Sequence, residues 1–252
     1  MKHQIFVAIF LILSACSATT EKYFAADSIP PTLIEPPFAS DSKEMQDEIQ
    51  QIIKMQKKFN LNELELASRE KYLRPEIFIL YVDRSLTRDS YPNLYRLLDR
   101  VSATSKAVTD NFKEHWNVTR PYLVDKKINM LITPSQGQSY PSGHTSSSFI
   151  NAQILGLLVP EKYFDLQNLA KKIAQRRVLV GMHYPHDVVG GEQLSRIVIG
   201  SLLQNSEFQE DLQKAREELE ENPPKLSKPA PATPAKDQLL VAPNNDALPA
   251  QQ

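Results

Sequence analysis

The sequence predicts an all-α fold, a single helical-bundle domain with a disordered N-terminal tether and a disordered C-terminal tail. Three observations lead there. Only 7 of 252 residues are glycine, and long stretches carry apolar residues at helical spacing, which argues against an all-β architecture. Proline-bearing polar segments bracket that periodic body on both sides. With 41% hydrophobic and 23% charged residues, the composition suits one sizeable core. A formal net charge of −1 leaves no basic excess to neutralise a phosphate backbone. No nucleic-acid partner is expected.

At the N-terminus, Lys2 and His3 precede an apolar run from Ile5 to Leu13. The run is too short to span a bilayer and fits the core of a signal peptide. It ends in Leu13-Ser14-Ala15-Cys16, which resembles a bacterial lipobox. That reading makes residues 1–15 a lipoprotein signal peptide and Cys16 the lipidation point, with a membrane anchor as the consequence. The plainer reading is an ordinary secretory signal. Cys16 is also the sole cysteine, so neither an intrachain disulfide nor a cysteine-pair zinc site can form. Ser17 is not an acidic retention residue, which favours the outer membrane of a Gram-negative bacterium over the inner one. Residues 16–36 carry Pro30, Pro31 and Pro36 and read as a tether or an extended wrap over the domain. Residues 222–252, rich in Pro and Ala, read as a disordered tail.

The body between them, residues 37–221, divides into helices. Asp41-Ser42-Lys43-Glu44 has the spacing of a capping box. Met45, Ile49, Ile52 and Ile53 then follow at helical spacing from about Ser42 to Lys58. A second helix is expected over Asn62 to Glu70, and a third from Pro75 through Tyr81. Tyr91 to Phe112 is longer, with Leu94, Leu97, Leu98, Val101 and Val108 as its stripe. Asn205 to Glu221 is amphipathic through Phe208, Leu212, Ala215 and Leu219 and is expected at the bundle edge. No internal segment has the length of a membrane span.

Chemistry concentrates at Tyr140-Pro141-Ser142-Gly143-His144-Thr145. Pro141 and Gly143 make a turn, and the apolar run from Phe149 to Leu158 makes a helix that Pro160 stops. A helix start offers free N–H groups and partial positive charge to an anion. Ser142 adds a hydroxyl, Gly143 permits close approach and His144 adds a titratable ring. The bland alternative is a helix cap with an incidental histidine.

Two further groups sharpen this. Lys113 and Arg120 are seven residues apart and would share a face on a continuous helix, but Pro121 disfavours helix at Arg120, so the helix is expected to end there with the arginine at a turn. Two converging cations suit a phosphate, although a solvated basic face would look the same. Farther on, Arg177 follows a helix containing Leu169, Ile173 and Ala174. His183 precedes Pro185, which fits the first turn of a new helix, so His183 falls in the joint. Asp187 can reach one ring nitrogen of His183 and leave the other as base or nucleophile. A structural His–Asp pair is one alternative. A metal site of His144, His183, His186 and Asp187 is another, disfavoured by the nearby cations. The Asn117-Val118-Thr119 sequon is a chance match.

Together these groups resemble the three-part signature of the type 2 phosphatidic-acid phosphatase superfamily, and most closely its bacterial class A non-specific acid phosphatases. The resemblance implies a helical bundle of that kind and a metal-independent phosphatase with no cofactor. By this resemblance Lys113, Arg120, Arg177, Ser142 and Gly143 bind the phosphoryl group. His183 attacks phosphorus, Asp187 supports it, and His144 protonates the leaving group. The expected substrate is a phosphate monoester. Its identity and the oligomeric state, a homo-oligomer included, stay open. Arg176 stands where serine is common and is read as an extra cation. His186 is expected only to line the entrance. A lipid-phosphate phosphatase, with Trp116 and Tyr184 as pocket-rim candidates, is the nearest alternative. A vanadate-dependent haloperoxidase and a non-catalytic envelope lipoprotein are the others.

Overall fold

Helix-capping side chains set the element boundaries of the computed structural model, which describes residues 20–226. The expected signal peptide, Cys16 and residues 227–252 of the tail lie outside the described residues. Helix α1 spans Lys43–Gln56, and its cap is Ser42, whose Oγ accepts the Met45 N–H at 3.1 Å. Helix α2 spans Leu61–Arg69 behind an Asn60 cap, and α3 spans Glu76–Val82. Helix α4, Pro92–Trp116, is the longest at 25 residues, about 38 Å at the usual rise. It opens on a proline, whose missing N–H costs nothing there. A short α5, Pro121–Val124, leads into an irregular stretch. Helices α6 (Gly143–Leu158), α7 (Tyr163–Leu179), α8 (Pro185–Leu203) and α9 (Ser206–Glu221) complete the described body, which is all-α.

Helix α6 lies at the centre, against α4, α7 and α8, and α9 lies along α4. Ile150, Ile154 and Leu155 of α6 are fully buried among Leu94, Leu97, Leu98 and Val101 of α4, Leu166 and Ile173 of α7, and Leu194 and Val198 of α8. Burial of such side chains is the main stabilising term, about 1.5–3 kcal/mol each. Phe208, Leu212, Ala215 and Leu219 of α9 join this core, as their spacing predicts. A second cluster joins Met45, Ile49 and Ile52 of α1 to Val178 and Tyr184. It seats α1 beneath the joint between α7 and α8.

The C-terminal end of α4 lies beyond the expected Phe112, and Arg120 sits at a turn as expected. Helix α4 stops at Trp116 because Asn117 takes a left-handed cap, φ 48°, with its N–H on the Lys113 carbonyl at 2.9 Å. Arg120 is extended (φ −69°, ψ 148°), the conformation that the following Pro121 imposes. Lys113 and Arg120 therefore meet through a turn, not along one helix face.

Of the two forms expected for the proline-bearing N-terminal segment, its described part takes the extended wrap. Tyr23, Ile29 and Ile34 are buried. The Tyr23 N–H donates to Thr104 Oγ1 at 3.0 Å and its hydroxyl to Asp211 at 2.9 Å. The Glu35 N–H donates to Gln193 at 2.9 Å. At the other end, the Tyr91 hydroxyl holds the Asn222 carbonyl at 3.0 Å and the Lys225 N–H donates to Asp83. No helix among the described residues is long and apolar enough to cross a membrane.

The wrap rests on a buried ion pair. Arg100 donates to Asp211 at 2.8 Å, with both side chains almost fully enclosed, and its guanidinium lies 4.1 Å from the Tyr23 ring centroid. Removing Asp211 leaves the buried Arg100 guanidinium with the exposed Glu207 carboxylate at 2.5 Å as its remaining close ion-pair partner, and Arg100 Nη1 unmatched. Asp211→Ala is expected to lower stability by about 3 kcal/mol and to expose the wrap. Chemical denaturation and limited proteolysis between residues 20 and 36 will check both.

Candidate active site

The joint between α7 and α8 presents His183. Gly181, φ 78°, turns the chain sharply, and a Cβ there would meet the Asn129 carbonyl at 2.8 Å. The turn folds the Met182 and His183 N–H groups back on the Arg177 carbonyl at 3.1 and 3.3 Å. Asp187, on the first turn of α8, points to the ring, with Oδ2 lying 2.9 Å from His183 Nδ1. The same oxygen accepts the Tyr184 N–H at 3.0 Å and the Ser139 hydroxyl at 2.5 Å. Asp187 is fully buried. Burial pushes its carboxyl pKa up, while His186, Ser139, the Tyr184 N–H and Lys113 pull it down. A carboxylate facing Nδ1 keeps the proton on that nitrogen, so the lone pair of His183 is on Nε2.

Cations surround that lone pair. Arg120 Nη1 lies 3.1 Å from His183 Nε2 and donates to the Met182 carbonyl at 3.0 Å, while its Nε donates to the Gly137 carbonyl at 3.0 Å. Lys113 Nζ donates to the Gln138 and Ser139 carbonyls at 2.6 and 2.9 Å. Burial, and then Arg120, bring the Lys113 ammonium down to about 7. Burial likewise lowers Arg120. Arg177 is enclosed, donates to the Ala67 carbonyl at 2.6 Å and Glu70 at 3.2 Å, and is brought down to about 10 by burial. His183 is held well below the usual histidine range, first by burial and then by Arg120, Lys113, His144 and Arg177. Four side chains from separate segments thus act on one imidazole.

The Tyr140–Thr145 turn closes the arrangement. Ser142 caps α6, its Oγ accepting the Thr145 N–H at 3.3 Å and the Thr145 hydroxyl at 2.9 Å. Two accepted bonds leave its own O–H to donate. The Ser142 N–H holds the Asp187 carbonyl at 2.9 Å, tying the start of α6 to the start of α8. Gly143 opens α6, where backbone N–H groups have no helical partner. A Cβ on Gly191 would meet the Ser142 carbonyl at 2.7 Å, and one on Gly190 the Tyr140 ring at 2.5 Å. Those two glycines let the turn lie against α8. His144 Nε2 lies 3.0 Å from the Glu70 carbonyl and 3.2 Å from that of Lys71, so this nitrogen carries the proton. Burial, then Arg177, bring the ring down to about 3.

Lys113, Arg120, Ser142, Gly143, His144, Arg177, His183 and Asp187 thus come together from the ends of α4, α6, α7 and α8 and the start of α5. Three neighbouring expectations change. Arg176 is not a spare cation: Glu70 takes its guanidinium at both ends and Glu63 lies 3.3 Å away. His186 is buried rather than at an entrance. Tyr184 is also buried, and Trp116 packs edge-on against Tyr140, so these two make no amphipathic rim. No cluster of three or more His, Cys, Asp or Glu suited to a metal occurs among the described residues. Ser139 and Glu70 escape sequence reasoning, since both act on residues far away in sequence. The only cue for Ser139 was its place just before the turn.

Part of the chain is similar to known proteins. Residues 101–209, which hold all three groups, match the PAP2 superfamily model. A non-specific acid phosphatase of Providencia stuartii is 28% identical over 141 residues, 53% of this chain and 56% of that protein. An acid phosphatase of Zymomonas mobilis is 29% identical over 133 residues, 51% of this chain and 50% of that protein. A non-specific acid phosphatase of Salmonella typhi is 32% identical over 124 residues, 48% of this chain and 50% of that protein. The chain spans about half the length of the curated relatives it matches. Over residues 101–209 the chain is thus similar to the PAP2 superfamily, and over about half of its length to acid phosphatases of bacteria.

An oxyanion among these cations favours the charged form of Lys113 and raises its pKa from about 7. Between that value and the raised one, binding takes up a proton. Calorimetric titration with inorganic phosphate near pH 8, in buffers of different ionisation enthalpy, is expected to show uptake approaching one proton. Lys113→Met is expected to abolish it.

Proposed function

We propose that this protein is a metal-independent acid phosphatase that hydrolyses phosphate monoesters through a phosphohistidine. The observation that carries the reading is the setting of His183. Its Nδ1 is held by Asp187 at 2.9 Å and its Nε2 meets Arg120 at 3.1 Å, within the field of Lys113, Arg177 and His144. A neutral imidazole with a fixed tautomer, ringed by cations, suits in-line attack on a phosphoryl group.

In this reading the incoming phosphoryl oxygens take over the Arg120 and Lys113 donors now held by backbone carbonyls and by the nucleophile. Arg177, the Ser142 hydroxyl and the Gly143 N–H complete the cradle. His183 Nε2 bonds to phosphorus as the bond to the leaving alkoxide breaks, and the alkoxide takes a proton from His144. Asp187 stabilises the positive charge that develops on His183. His144 then accepts a proton from water as that water attacks phosphorus, which releases phosphate and restores His183. His144 needs a proton for the first step. The negative phosphoryl group offsets the Arg177 and Arg120 charges that hold His144 low, so substrate itself restores the acid.

Export accompanies this function. The homologous acid phosphatases are bacterial, and the signal-like N-terminus supports action outside the cytoplasm, in the periplasm. The lipobox reading adds an anchor at Cys16, and residues 37–221 serve as the phosphatase domain.

Hydrolysis of an aryl phosphate from pH 4 to 8 is expected to peak on the acid side and to be insensitive to chelator. His183→Ala is expected to reduce kcat by at least about 10³-fold, and rapid acid-free quenching of the parent enzyme to trap phosphate on histidine. Turnover that survives His183→Ala contradicts the assigned nucleophile.

A further inference from the structure

Among the described residues, His186 is the one buried histidine that the mechanism above leaves unused. It sits on the first turn of α8, next to Asp187 in sequence. Glu48 of α1 grips it twice. Oε1 accepts the His186 backbone N–H at 2.8 Å, and Oε2 lies 2.5 Å from ring Nδ1. On its other side, ring Nε2 faces Asp187 Oδ1 at 3.8 Å. Both atoms are buried and have no hydrogen-bond partner. The remaining neighbours are aromatic. The Phe38, Tyr140 and Tyr184 ring centroids lie 4.6, 5.5 and 5.7 Å from the His186 ring, with Tyr184 nearly parallel at 16°.

Each contact has the same electrostatic preference. Glu48 from α1 and Asp187 from α8 flank the ring with carboxylates on opposite edges. The titratable groups that face it from the loop before α6 and from the start of α8 are the phenols of Tyr140 and Tyr184, and Phe38 comes from the N-terminal wrap. No cationic side chain is among these contacts. A neutral ring with its proton on Nδ1 would aim the Nε2 lone pair at a carboxylate oxygen, an uncompensated repulsion in a water-poor place. A second ring proton turns that repulsion into attraction, and aromatic faces favour a cation between them.

We propose that His186 is held as an imidazolium and is a counter-charge that keeps buried Asp187 ionised, so that Glu48, His186 and Asp187 form one line of alternating charge that ends at the neutral ring of His183. His186 is then a positioning residue. It never touches substrate, and it acts by keeping the carboxylate that steadies His183. The inference rests in part on the phosphatase reading, because its kinetic consequence needs His183 to be the nucleophile. The consequence is directional. When His186 loses its second proton, Asp187 loses its counter-charge and the charge developing on His183 is less well supported. Activity therefore falls on the alkaline side through this residue, in addition to any loss through His144.

The test reads the proton directly. Imidazole ¹⁵N spectra of the whole protein, with its five histidines labelled, assign His186 by the signal lost in His186→Asn. Both ring nitrogens are expected to carry imidazolium shifts near pH 6. Glu48→Gln, which keeps the shape and an acceptor for Nδ1, is expected to move the loss of that form to lower pH by about one unit or more. A neutral His186 near pH 6, or a titration unmoved by Glu48→Gln, overturns the proposal. In parallel, the alkaline limb of kcat for an aryl phosphate is expected to move the same way in Glu48→Gln, with KM within about twofold. An alkaline limb that stays in place while the ¹⁵N titration moves overturns the link to His183. A parent protein with no phosphatase activity counts against the functional reading, and the ¹⁵N result still decides the state of His186.

Discussion

The buried carboxylate of Asp187 is the interaction on which the site depends. Its Oδ2 takes the Ser139 hydroxyl, the Tyr184 N–H and the His183 ring, and its backbone carbonyl takes the Ser142 N–H. One residue thereby fixes the strand of chain before α6, the joint between α7 and α8, and the starts of both α6 and α8. A fully enclosed carboxylate is expensive in isolation. Here each donor that offsets the cost also orients a group with a part in the site. Stability and geometry are therefore supplied by the same hydrogen bonds.

The cations around His183 follow a different rule. Arg120 and Lys113 are satisfied mainly by backbone carbonyls of residues 137–139 and 182. Carbonyl dipoles hold a cation in place without neutralising it. Arg176 is the contrast, closed off by two carboxylates. Adjacent arginines on one helix turn thus have opposite fates. Arg177 keeps an excess of positive charge toward the site, and Arg176 ties α7 to α2 through Glu70 and Glu63. Glu70 does both jobs at once, because its carboxylate binds the two arginines and its carbonyl receives the His144 ring.

Much of this was legible in the sequence, for identifiable reasons. Helices α1, α4, α6 and α9 announce themselves through apolar stripes at helical spacing, and Pro185 marks the start of α8 locally. The Lys113, Ser142–His144 and His183–Asp187 groups are short motifs whose spacing carries the chemistry. Contacts made across long sequence distances were not legible. Glu48 meets a histidine 138 residues away and Glu70 an arginine 106 away, and nothing local to either glutamate says so. The end of α4, four residues beyond the expected Phe112, has a local cause. An asparagine can close a helix in the left-handed conformation without a glycine to signal it, and Asn117 does.

The N-terminal wrap gives the molecule a time order. Tyr23 is joined to Asp211 across 188 residues and Asn205 holds the Tyr23 carbonyl across 182. The hydroxyl and carbonyl of Tyr23, in the first part of the described body to be made, therefore find these partners only once Asn205 and α9 exist. Contacts of such separation are entropically late. A chain threaded across a membrane from its N-terminus would carry Tyr23 without its Asp211 partner for most of the passage, and the wrap would close only when α9 arrived.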